Sequence, residues 1–192
     1  MSKAETTRER ILEATRQLLA ASPGASPSMG EIANRAHVTR QLLYFHFRSR
    51  VDLLLELSRR VDAEARSPAR QARVDDAADP VTALREAVAL QGHVKPKIFS
   101  VASAVDQLRH SDQDAAAVWK EREDARLARC TDIIERLAEE RILGERWDVS
   151  TAAHVMWSVT SLRSWEELVV DRGWSSRAWV RHTTRLLERA FL

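Results

Sequence analysis

The sequence predicts an all-α protein of about nine helices, divided into an N-terminal helix-turn-helix domain and a C-terminal helical body. Three observations carry this. Ala, Leu, Arg and Glu dominate while Gly and Pro occur five times each, whereas sheets draw on β-branched, aromatic and turn residues. Apolar residues recur at helical spacing along most of the chain. Candidate N-cap residues stand before one such run after another.

In chain order, Thr6-Thr7-Arg8-Glu9 fits a capping box. It opens an amphipathic helix through Ile11, Ala14, Thr15, Leu18 and Leu19, which Ser22-Pro23-Gly24 ends. Ser28-Met29-Gly30-Glu31 is a second box, before Ile32, Ala33 and Ala36. Thr39 caps a third helix, Arg40 to His46, and Ser49-Arg50-Val51-Asp52 a fourth, with Val51, Leu54, Leu55 and Val61 inward. Residues 67–79 read as a polar connection of open helical content. Asp79-Pro80 opens a helix expected to end near Gly92, and Pro96 opens another through Phe99, Val105 and Leu108. A long helix is expected from Asp112 to Leu143, stopped by Gly144. The last two begin near Asp148 (Val155, Val159, Leu162, Val169) and Ser175 (Trp179, Thr183, Leu186, Leu187, Ala190). The expected domains are 1–48, a connecting helix over 49–66, and a body over 67–192.

Charge is unevenly placed. The chain has net charge +2, but residues 1–50 hold eight Lys/Arg against four Glu. A basic head on a balanced body suits a polyanionic partner. One cysteine, Cys130, excludes an internal disulfide and fits a reducing compartment. With no secretion signal and no membrane-length apolar run, a cytoplasmic protein is expected. No G-x-G-x-x-G, P-loop, H-E-x-x-H or paired Cys/His spacing proposes a reaction, cofactor or metal. Cys130 with His154 is the remaining enzymatic pairing, and an isolated buried cysteine is usually packing. The chain is therefore expected not to be an enzyme and to need no cofactor.

Two short capped helices separated by about three residues form a helix-turn-helix. Its second helix begins at Thr39, whose end offers free amides to a phosphate. The outward face carries Arg40, Gln41, Tyr44 and His46. Arg40 can bridge guanine O6 and N7, and Gln41 can pair with adenine. Ser28, His46, Arg48 and Arg50 are placed for phosphate contacts. Phe45 and Phe47 read more readily as core.

The ordered set Ile11-Leu12-Glu13-Ala14, Gly24, Ser28 to Ala33, Val38-Thr39, Leu43-Tyr44-Phe45-His46-Phe47, Arg50 and Leu53-Leu54 resembles the TetR family of transcriptional regulators. Trp157 to Trp174 also looks like the penultimate helix of some members. The resemblance implies a regulator, most simply a repressor, that a small-molecule effector of unknown identity releases from a palindromic operator. It implies that Tyr44 reaches a phosphate or a thymine methyl, and that the middle helices bind the effector. Val88, Gln91, Phe99, Trp119 and Trp157 are the candidate lining, each equally able to be core. The resemblance places dimerisation in the last two helices, whose apolar stripes are wide enough for a four-helix bundle between copies. A homodimer would set two reading helices on an inverted repeat of double-stranded DNA, about 34–36 Å apart. The fourth helix would link head to body. His37 stands where the family has glycine, Leu42 where a small or hydroxylated residue is usual, and Arg50 where lysine is common. Alternatives are an effector-independent DNA-binding dimer and, further off, a helical enzyme.

Overall fold

The computed structural model describes residues 3–22 and 27–192. Its described residues form ten α-helices and one π-helical turn, with no strand: α1 (Lys3–Ala21), α2 (Met29–Arg35), α3 (Arg40–His46), α4 (Arg50–Ala65), α5 (Pro68–Asp75), α6 (Pro80–Leu108), α7 (Gln113–Glu139), α8 (Val149–Val159), α9 (Leu162–Trp165), the π-turn Glu166–Asp171, and α10 (Ser176–Phe191). The chain forms two compact units, one of residues 1–65 with 98–121, the other of 66–97 with 122–192.

In the first unit, α1 packs on α2 and α4, and α2 on α3. Ile11 and Leu19 of α1, Ile32 of α2, Leu43 of α3, Phe47 just beyond α3, and Leu53 of α4 are all fully buried. The caps behave as the sequence predicts. Ser28 Oγ accepts from the Glu31 amide while the Glu31 carboxylate takes the Ser28 amide, and Thr39 Oγ1 accepts from the Leu42 amide. Ser49 Oγ accepts from the Asp52 amide at the head of α4. The first box differs. Helix α1 already runs at Lys3, so Thr6 and Glu9 lie inside it. Pro23 and Gly24, the expected stop, lie outside the described residues.

In the second unit, α8 and the π-turn pack on α10. Trp179, Thr183, Leu187 and Phe191 form the buried stripe of α10. The Gly144 amide and Trp147 Nε1 donate to the last carbonyls of α10, those of Phe191 and Ala190, at 2.7 and 2.6 Å.

The polar connection, whose helical content the sequence left open, contains α5, which has Pro68 in its first turn and buries Val74. Three expectations are corrected here. The two helices expected around Gly92 and Pro96 are one, α6. Proline costs a single amide bond to residue 92, and Gly92 is glycine for a different reason. A Cβ there would overlap Val180 of α10. Helix α7 ends at Glu139 rather than Leu143. Arg141 takes φ 57°, the Ile142 amide bonds the Leu137 carbonyl, and the Arg141 amide bonds that of Ala138. That is a Schellman end with arginine in the glycine place. The expected penultimate helix is broken at Thr160, and Ser161 caps the new start through the Ser164 amide.

Candidate functional site

The first unit offers a seven-residue helix, α3, of which only Leu43 is buried. Arg40, Gln41, Leu42, Tyr44 and Phe45 face solvent, and His46 is half-buried. Leu43 anchors α3, so the residues beside it must point outward. Arg40 reaches back toward Gly30 of α2, where a Cβ would strike its guanidinium. Gly30 thus leaves room for an arginine at the start of α3, beyond the weak helix position its type suggests.

Phe47 is fully buried, with the Arg8 guanidinium 4.4 Å from its ring centroid. Phe45, by contrast, is 81% exposed, which overturns its expected place in the core. A seven-residue helix has one inward row, and Leu43 occupies it. Phe45 sits two residues on, on the opposite side, edge-on to His46.

The turn between α2 and α3 is a second Schellman end. The Val38 amide bonds the Ala33 carbonyl, the His37 amide that of Asn34, and His37 stands at φ 53°. Arg10 of α1 caps it, donating to the carbonyls of Ala36 at 2.6 Å and His37 at 3.2 Å. Ser28, Thr39 and Arg48 are exposed and Arg50 half-buried. The Ser28 backbone and hydroxyl bonds hold the Glu31 carboxyl below its usual range. The expected reading face is thus one exposed surface flanked by two capped turns.

The second unit contains a partly open cavity of about 90 Å³. Its buried wall includes Val74, Arg126, Cys130, Ile133, Met156 and Thr160, and its exposed rim Asp75, Arg129 and Asp132. Arg126 holds the wall together. It pairs with Glu123 at 2.7 Å and donates to the Trp157 carbonyl at 2.6 Å and to Thr160 Oγ1 at 3.3 Å. Of the expected effector residues, Gln91 lines the cavity and Trp157 stacks its ring 4.9 Å from the Arg126 guanidinium. Val88 is fully buried. Phe99 and Trp119 belong to the first unit, Trp119 against Arg109. Sequence reasoning passed over Lys95 and Arg126. The available signal was a basic residue set in an apolar helical run, four positions after Gln91.

Burial pushes the Cys130 thiol up, the reverse of an activated thiolate, and His154 is exposed. No group of three metal-ligating side chains occurs among the described residues. Nor, among them, is any helix long and apolar enough to cross a membrane.

The family described as "Bacterial regulatory proteins, tetR family" matches residues 11–57. Over this N-terminal segment the chain is similar to the TetR family. The match covers the whole of α2 and α3 and their turn. Over 84 residues the chain is 32% identical to the HTH-type transcriptional regulator AcrR of Shigella flexneri, covering 44% of this chain and 39% of that relative. Less than half of that curated relative's length is therefore spanned. Solved structures of transcriptional regulators share the fold across the chain. A transcriptional regulator from Saccharomonospora viridis in complex with choline has TM-score 0.79 at 20% identity, covering 97% of this chain and 98% of that one. The regulator FadR of Bacillus subtilis in complex with stearoyl-CoA has TM-score 0.72 at 16% identity, covering 95% and 98%.

Proposed function

We propose that this protein is a sequence-specific DNA-binding transcriptional regulator, a repressor that leaves an inverted-repeat operator when a small molecule occupies the second unit. The exposed face of α3 is the observation that carries the first half. Arg40, Gln41 and Tyr44 are solvent-facing on a helix anchored by one buried leucine. A free-standing helix face with bidentate donors fits a major groove. Arg40 and Gln41 read base edges, while Ser28, Thr39, Tyr44, His46, Arg48 and Arg50 set the register on the phosphates.

The cavity supports the second half, since it is a concave, largely apolar recess with a few convergent polar groups. Structural relatives crystallised with stearoyl-CoA and with choline support a ligand-responsive body. The protein acts as a homodimer. Leu186 of α10 is 55% exposed and Val170 of the π-turn 46%, apolar surface suited to a second copy.

The test is duplex binding as a function of salt. Log affinity should fall linearly with log salt concentration, because phosphate contacts release counterions. A folded protein that binds no duplex at low salt would end the proposal.

A further inference from the structure

The cavity in the second unit has a chemical preference that its wall discloses. Its apolar side is Val74, Ala87, Leu90, Ile133 and Met156. Its polar side is made of donors. Lys95 is buried behind the wall and donates to Gln91 Oε1 at 2.6 Å. A lysine only donates, so it turns the Gln91 oxygen toward itself and leaves the NH2 group as the donor for a ligand. Arg126 has donors alone. The Thr160 hydroxyl hydrogen goes to the Met156 carbonyl at 2.6 Å, and its oxygen takes Arg126. The carboxylates in the lining, Asp75 and Asp132, stand at the exposed rim.

The charges point the same way. Two buried cations, Lys95 and Arg126, lie on this side, and Glu123 pairs with Arg126. Lys95 has no ion pair among the described residues, only Gln91 and the face of Trp179 at 5.5 Å. A buried cation without an anion is costly. Burial accordingly pushes the Lys95 ammonium well below the usual lysine range. Arg126 and Arg122 push the same way, and Glu123 and Cys130 oppose them.

We propose that the cavity binds a small carboxylate with an apolar body, its carboxylate received by the Gln91 amide and balanced by Lys95 and Arg126. This rests on the reading of the cavity as the effector site and names the ligand's class. A ligand acceptor meets the donor wall, its charge completes the Lys95 site, and its body lies on Leu90, Ile133 and Met156. A quaternary ammonium of the same size would meet two buried cations instead.

The experiment uses the full chain and three matched probes: octanoate, octanol and octyltrimethylammonium. Calorimetry measures their binding to wild type, Gln91→Glu and Lys95→Met, with the affinity for duplex DNA followed in parallel. Octanoate should bind wild type about ten- to a hundredfold more tightly than octanol, the yield of a charge-assisted hydrogen bond. Octyltrimethylammonium should bind no better than octanol. Gln91→Glu should keep octanol and lose the octanoate preference, because its carboxylate takes the place of the ligand's. Lys95→Met serves the same purpose should Gln91→Glu fail to fold.

Octyltrimethylammonium matching octanoate, no saturable octanoate binding, or a preference surviving in both variants would overturn the proposal. Octanoate that binds as expected yet leaves DNA affinity unchanged would overturn the effector reading and uphold the carboxylate site. Octyltrimethylammonium that binds and releases DNA would do the opposite.

Discussion

Arg8 Nη1 donates to the carbonyl of His46, the last residue of α3, across 2.8 Å. The same guanidinium binds Glu56 of α4, with Nε 2.8 Å from Oε1, and covers the Phe47 ring. One side chain of α1 therefore fixes the end of α3 and the helix that follows it. Arg8→Ala should cost about 1 kcal/mol of stability, modest because the pair is part-exposed. It should also weaken duplex binding by loosening α3. Arg8→Lys should recover little, since a lysine cannot span the carbonyl and the carboxylate together. Denaturant titration and anisotropy would check both.

His37 sits at φ 53° in the turn between α2 and α3. A left-handed residue with a Cβ pays a penalty that glycine escapes. His37→Gly should raise stability by about 0.5–1 kcal/mol in denaturant titration, with Arg10 still capping the turn. A loss of stability would mean that the imidazole makes a contact worth more than the strain.

Arg40 and Arg50 should separate in their effects on DNA. Arg40→Ala should cost about 1–3 kcal/mol and relax the preference at one base pair per half-site. Arg50→Ala should weaken all duplexes alike and flatten the salt dependence. Phe45→Ala should leave stability nearly unchanged, as an 81% exposed ring loses little packing. Competition binding against single-base operator variants would check the arginines, and denaturant titration the phenylalanine.

Lys95 gives a pH dependence of definite sign. Its folded ammonium is depressed below the unfolded value of about 10.4, so between the two the unfolded chain holds more protons. Stability from this group is fully present above the unfolded value and is lost as pH falls toward the folded one. The groups acting on Lys95 across this range are Arg122, Glu123, Arg126 and Cys130. Lys95→Met should therefore be more stable than wild type at neutral pH, with the gap closing toward pH of about 10. Urea midpoints across that range would measure it.

Much of the first unit was legible because local chemistry decides it. Ser28, Thr39 and Ser49 declare helix starts, and each hydroxyl then accepts a backbone amide of its helix. The stretches that resisted were decided by packing at a distance. Gly92 reads as a stop, but α6 passes it because Val180 demands the space. Phe45 reads as core by residue type, although the shortness of α3 leaves it no inward row. Lys95 and Gln91 are four apart on α6, and nothing in that segment says that Arg126 and Trp179 will enclose them. A cavity built from α5, α6, α7 and α8 is written in no single stretch of sequence.

The central claim is that α3 of two copies reads a dyad-symmetric DNA site. Selection from a random duplex library, with purified protein at about physiological salt, tests it most directly. The account predicts an enriched inverted repeat whose half-sites lie about 10–10.5 base pairs apart, centre to centre, or a multiple of that. A folded, duplex-binding protein that enriches no repeated sequence would contradict it.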